Sequence, residues 1–276
     1  MDAATARRMF ELVEPIGAIP YAAEDPNETM FALGFSDFWD TYFAGRAAPL
    51  GADAPAELVD ALFYSFAPGE VARHIPRVWD TTTPEAALAA RLAGCTNALR
   101  RILGDHVGTL GFARATDLLT TAATSAPIEG RPMYAALRAL PIPEDVVTRC
   151  FHAGSLLREH RGDGHILALV SEGIGRTEAH VLYALGTGLE PHRFGRIAHL
   201  PSAQLDAVID GMRRRGLVGD DGGFTDQGRA VRQRVEDRTD ELACAPYAAL
   251  TPDELAELQV LLEPMAALLI ADQDFG

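Results

Sequence analysis

Lysine is absent from this sequence: all 24 of its basic side chains are arginine. That removes Schiff-base chemistry with pyridoxal phosphate, a Walker-type phosphate lysine and any catalytic amine. Cysteine is scarce, and Cys95, Cys150 and Cys244 are far apart with no C-x-x-C spacing, so neither a disulfide framework nor a cysteine zinc site is expected. No apolar run reaches the roughly 18 residues that span a bilayer. The start, Met1-Asp2-Ala3-Ala4-Thr5, lacks the basic residues and apolar core of a signal peptide. The expected location is therefore the cytoplasm, with no membrane partner. There is no glycine-rich nucleotide loop after a strand, no G-x-S-x-G elbow and no H-E-x-x-H. His152, His160 and His165 fit no recognised metal signature either, so neither a cofactor nor a metal is expected.

What the chain does have is 276 residues with 48% hydrophobic content, enough for one large core or two modest ones. Its formal charge of −15 opposes phosphate backbones at long range. The bias toward arginine and alanine looks like that of a high-GC bacterial genome.

Periodicity and breakers predict a mainly helical chain. Ala4–Gly17 spaces Met9, Leu12, Val13 and Ile16 as a helix does, and helices follow at Pro26–Leu33 and Phe38–Ala47. Shorter ones are expected at Pro55–Phe66 and Pro68–His74. Thr83–Leu103 reads as a long helix in which Thr83-Pro84-Glu85 supply the cap, first turn and dipole partner. Gly111–Thr124, Met133–Leu140 and Glu144–His160 complete a helical domain over residues 1–160. A flexible joint is expected at Arg161-Gly162-Asp163-Gly164, ahead of a second domain over residues 161–276.

In that second part, helical stretches at His165–Glu172, Arg176–Leu185, Pro191–His199 and Ser202–Arg215 precede the tip Gly219-Asp220-Asp221-Gly222-Gly223 and a long helix at Gln227–Ala243. The order helix, helix, helix, hairpin, helix is that of a winged helix-turn-helix with a short β-hairpin wing. Met212-Arg213-Arg214-Arg215-Gly216-Leu217-Val218 and Phe224-Thr225-Asp226-Gln227-Gly228 resemble the helix end, wing and T-x-x-G helix start of MarR-type regulators. The amphipathic Thr251–Ile270 sits where that family places its dimerisation helix, which implies a homodimer. The whole chain also resembles an actinobacterial family with a helical N-terminal half and this winged half. The likeness is carried by Tyr42–Gly51, Phe63–Pro68, Leu157–His165 and Val235–Ala243.

DNA reading is disfavoured by the residues themselves. The expected recognition helix shows Ser202, Gln204, Asp206 and Asp210, and the tip carries Asp220 and Asp221, where a reader presents cations. Arg213, Arg214 and Arg215 lie at a helix C-terminus, where they complement the macrodipole. The best candidate for chemistry is Leu157–His165, whose two arginines, two acids and two histidines flank glycines. Histidine beside carboxylate suits proton transfer near neutral pH, which makes His160, Asp163 and His165 the candidate acid/base residues. The structural alternative is an interhelix joint in which Asp163 caps the next helix and the arginines pair with carboxylates. Arg158 and Glu159, with Tyr42, Arg46, Tyr64, His74 and Trp79 from the first half, are the candidate pocket lining. The reading is a small-molecule-binding protein of bacterial secondary metabolism with its site between the two domains, where cofactor-free acid/base catalysis could operate. The alternative is a ligand-responsive MarR-like transcription regulator.

Overall fold

A computed structural model describes residues 2–194 and 200–272. The first half contains α1 (Ala3–Gly17), α2 (Ile19–Ala22), α3 (Glu24–Phe31), α4 (Phe38–Ala47), α5 (Ala56–Leu62), α6 (Glu70–His74), α7 (Pro84–Leu103), α8 (Leu110–Ser125) and α9 (Pro132–Arg138). Then come α10 (Val146–Ser171), α11 (Arg176–Gly186), α12 (Ser202–Arg214), α13 (Asp226–Leu242) and α14 (Pro252–Asp272). Caps set many of the starts. Thr83 accepts from the Ala86 N–H at 3.2 Å, Thr109 from Phe112 at 3.1 Å, and Asp145 from Thr148 at 2.9 Å. No helix among the described residues is long and apolar enough to cross a membrane.

The 26-residue α10 is the axis of the molecule. Its first half packs with α1, α7, α8 and α14 around Ile16, Leu99, Leu119, Leu156 and Leu262. Its last turns join α11, α12 and α13 around Leu169, Val181, Met212 and Val235. A third cluster, rich in aromatics, gathers Phe43, Phe63 and Phe66 of the α4–α6 region.

Three expectations change against this frame. First, the joint at 161–164 lies inside α10, so the helices expected at Glu144–His160 and His165–Glu172 are one, and it crosses the 160/161 boundary. A helix-interior glycine costs roughly 1 kcal/mol against alanine, but tertiary packing uses these positions. A Cβ at Gly154 would lie 2.7 Å from Ile16 Cγ2, and one at Gly164 would lie 2.5 Å from Arg131 Nη1. Glycine here admits neighbours; it does not bend the chain.

Second, there is no β-hairpin wing among the described residues; the fold is helical throughout, with a lone antiparallel bridge between Val218 and Phe224. The tip spends its backbone groups on itself. Gly219 donates to the Gly223 carbonyl at 2.8 Å, the Asp221 carboxylate takes the Gly223 N–H at 3.0 Å, and Thr225 already caps α13. Too few residues remain on either flank to extend a ladder. Third, part of the apolar surface of the terminal helix is covered within the chain. Leu258, Leu262, Met265 and Leu269 are buried against α1, α7 and α8, while Val260, Leu268 and Ile270 of the same helix stay exposed. Of the helix expected at Pro191–His199, residues 191–193 form a single 3-10 turn and 195–199 lie outside the described residues.

Candidate functional site

One face of α10 walls a cavity of about 210 Å³. Phe151, His152 and Ser155 contribute from α10, Leu88 and Leu92 from α7, Met133 and Leu137 from α9, and Pro49, Pro141 and Pro143 from the connecting turns. The chamber is mostly apolar, its polar groups coming from His152 and Ser155 and from Arg46, Arg91, Arg158 and Glu159, which border it. Two glycines make room for those arginines: a Cβ at Gly17 would meet Arg158 Cδ at 2.6 Å, and one at Gly45 would meet Arg91 Cδ at 3.1 Å.

The ion cluster is organised around Glu159. Arg46 holds it bidentately, Nε to Oε1 at 3.2 Å and Nη2 to Oε2 at 3.0 Å, and donates a third bond to the Tyr42 hydroxyl at 3.0 Å. Arg158 donates to Glu14 at 3.1 Å and lies 3.8 Å from Glu159. Burial alone would push the Glu159 carboxyl up, but Arg46 and Arg158 outweigh it and hold the group below its usual range. Arg91 differs from its neighbours. It donates to the Tyr21 hydroxyl at 3.2 Å, and its guanidinium carbon is 5.6 Å from the Tyr21 ring centre. Among the described residues no carboxylate lies within ion-pair distance of it.

Arg46, Arg158 and Glu159 also border a second cavity, of about 290 Å³, which opens toward the C-terminal unit. Tyr42, Tyr64, Arg161 and His165 line it together with Tyr183 of α11. Six of the residues singled out from the sequence thus converge: Tyr42, Arg46, Tyr64, Arg158, Glu159 and His165. His165 Nδ1 lies 3.0 Å from Thr239 Oγ1, whose hydroxyl donates to the Val235 carbonyl, so the imidazole is the donor to Thr239. Arg176 clamps Asp60 with bonds of 3.1 and 2.7 Å and fastens α11 to α5.

His160 and Asp163 do not join this group. A helix turns about 100° per residue, and both project from the other side of α10 toward α9. Asp163 accepts the Tyr134 N–H at 3.0 Å, capping the start of α9 rather than of a following helix. His160 is buried edge-on to the Tyr134 ring, with neither ring nitrogen hydrogen-bonded. The three candidate acid/base residues therefore share no cavity. Burial, and to a lesser degree Arg131, lowers the His160 pKa to about 4. Burial raises that of Asp163 to about 6, with Glu159 adding to the rise.

The two shifts have opposite linkage signs. Stability from the raised Asp163 is fully present below about 3.8 and is lost as pH rises through about 6. Stability from the depressed His160 is present above 6.5 and is lost as pH falls toward about 4. The windows overlap and largely cancel. Asp163→Asn, which keeps an acceptor for Tyr134, should gain on the order of 1–2 kcal/mol over the parent at pH 8. That gain should vanish by pH 4. Urea melts at the two pH values check this, and an unchanged difference would contradict the assignment.

His74 and Trp79 border neither cavity. His74 lies 2.6 Å from Asp40 and 3.4 Å from Glu70, stacked on Phe43, and Trp79 packs on the rim of the aromatic cluster. Asp37, Asp40 and His74 hold ligand-type atoms within 4.8 Å of one another. Asp37 caps α4 and Asp40 is engaged by Arg77, which gives the group a structural role. Sequence reasoning missed Arg91, Tyr21 and Ser155, and weighed His152 only as a metal ligand. The signal for Arg91 was present: it falls four residues after Ala87 and four before Cys95, an arginine within the apolar stripe of α7.

Beyond α10, the helices α11, α12 and α13 pack as a compact unit on the last turns of the axis. A family described as a helix-turn-helix family matches residues 6–276, the helical N-terminal half included. The chain belongs to this helix-turn-helix family. No curated protein and no solved structure matches it significantly. In this helix-turn-helix protein, α12 exposes Ser202, Gln204, Asp206 and Asp210. Its basic end is partly neutralised, with Arg213 on Asp210 at 2.7 Å and Arg215 on Glu178 at 2.8 Å. Among the described residues Arg214 has no acidic partner.

Proposed function

We propose that this helix-turn-helix protein binds a small molecule in the chamber beside α10. The observation that carries the reading is the chamber itself: about 210 Å³ of apolar space ending on a buried ion cluster. That combination, apolar walls with a few convergent polar groups, is what ligand sites have in common. The cluster also borders the cavity facing α11, and α10 runs from the chamber into the core of the C-terminal unit, so an occupied chamber has a rigid element through which to act. Ala89, exposed at the chamber's mouth, offers a direct test. Ala89→Trp should abolish binding of small apolar compounds in ligand-observed NMR while leaving the melting temperature within a few degrees of the parent. Equal binding by parent and plugged variant would end this reading.

Family membership favours a second reading, a ligand-responsive regulator that contacts DNA. The acids on α12 and in the tip oppose it, since each acid facing a phosphate removes favourable electrostatic free energy. We expect no sequence-specific complex at physiological salt, where specific affinities reach roughly 10⁻⁸ M or tighter. Electrophoretic retardation against the upstream DNA of the protein's own gene checks this. A complex of that affinity, lost on replacing Arg213 and Arg214, would make the protein a DNA reader.

A further inference from the structure

The chamber is built for a ligand of one sign. Three guanidiniums, from Arg46, Arg91 and Arg158, gather at its end, and two carboxylates answer them. Glu159 is shared between Arg46 and Arg158, and Glu14 takes the other side of Arg158. Arg91 is left with a phenol and an aromatic face. It is half-buried, with its stem against the bare backbone of Gly45, and it borders the chamber.

A guanidinium carries five donors in a planar fork that matches a carboxylate. Desolvating one without an anion in contact is costly, and at Arg91 that cost is met by the Tyr21 hydroxyl and ring and by the more distant Glu159, with no carboxylate hydrogen-bonded to the fork. Of the remaining walls, Leu88, Leu92, Met133, Leu137 and Phe151 offer apolar contact to the rest of the ligand, while His152 and Ser155 bring Nε2 and Oγ atoms that have no hydrogen-bond partner among the described residues.

From this we infer that the ligand is an apolar monocarboxylic acid, its carboxylate held by Arg91 and its hydrocarbon part by the α7–α9–α10 wall. The inference rests on the reading of the chamber as a ligand site, and the test separates the two. Octanoate and phenylbutanoate, methyl octanoate and octanol are titrated by calorimetry into the parent and into Arg91→Met. The acids should bind the parent more tightly than the ester and the alcohol. Arg91→Met should weaken the acids by about ten- to a hundredfold, the worth of a charge-assisted hydrogen bond, and leave the neutral compounds unchanged. Arg91→Lys, which keeps the charge and loses the fork, should fall between.

If acid and ester bind the parent alike, the chamber remains a ligand site and the carboxylate assignment is overturned. If the acids prefer the parent but lose nothing in Arg91→Met, the anchor is wrong. If none of the four compounds binds, the chamber reading and this inference fail together. Should Arg91→Met not fold, the comparison of acid with ester in the parent still decides the charge.

Discussion

Gly228→Ala should cost this protein about 3 kcal/mol or more, among the largest single losses available from a change of one methyl group. A Cβ at Gly228 would sit 2.0 Å from the Leu217 carbonyl oxygen and 2.9 Å from its carbon. That neighbour is backbone and has no rotamer to give. The clash can be relieved only by parting the 216–225 segment from the start of α13. Such a shift would break the bond from the Gly228 N–H to Thr225 Oγ1, 3.0 Å, and the one from Thr225 to the Gly216 carbonyl. It would also draw Leu217 and Val218 away from Val231 and Val235 in the core of the C-terminal unit. Urea unfolding of the variant, beside Gly108→Ala where a Cβ meets nothing within 4 Å, gives the measurement. A loss below about 1 kcal/mol, or one no larger than the control's, would show that the close approach is absent.

Replacing Glu159 by Ala is the second change expected to have a large effect, at about 3–5 kcal/mol, because it strands the part-buried Arg46 guanidinium and leaves Arg158 with Glu14 alone, rather than because the ion pair is itself so favourable. Arg46 loses both of its bonds to the carboxylate and Arg158 its closest approach on that side. The distinguishing result is the double variant Arg46→Met with Glu159→Leu, which removes both charges and keeps the volume. It should be less destabilised than Glu159→Ala alone, and the cycle should report a strong coupling between the two sites. Acid sensitivity follows from the same pair. The folded carboxyl titrates below its ordinary 4.5, so its contribution is present above that pH and is lost as pH falls through the lower, folded value. The double variant should not share that part of the acid loss. Additive single effects, with no coupling, would mean that Arg46 and Glu159 do not act as a pair.

Much of the helical layout was legible because short-range chemistry writes it. Thr83-Pro84-Glu85 marked the start of α7, and the spacing of Met9, Leu12, Val13 and Ile16 marked the buried face of α1. The T-x-x-G of Thr225–Gly228 is a cap followed by a glycine that lets two backbones touch, and it could be recognised without knowing what it touched. The glycines of α10 were misleading for the converse reason. Locally, Gly162 and Gly164 favour a break, and only the approach of Arg131 and of the Leu242 side chain, both distant in the sequence, turns the Gly164 site into packing space.

The candidate site divides along the same line. Tyr42, Arg46, Tyr64, Arg158, Glu159 and His165 were chosen as polar or aromatic residues near breakers, and the fold brings them to one cavity. His160 and Asp163 belonged to the same short stretch of sequence, yet the helical twist of α10 turns them to the opposite side. By itself, the sequence determined the helical character, the caps, the acidic surface of α12 and the exclusion of amine chemistry, all of which depend on residue type and near neighbours. Only the tertiary structure decided that α10 is continuous, that the tip forms no strand, that Leu258, Leu262, Met265 and Leu269 of α14 are covered within their own chain and that Arg91 borders the chamber with no carboxylate within ion-pair distance among the described residues. Each of these depends on which distant surfaces meet, and burial and charge pairing act through space rather than along the chain.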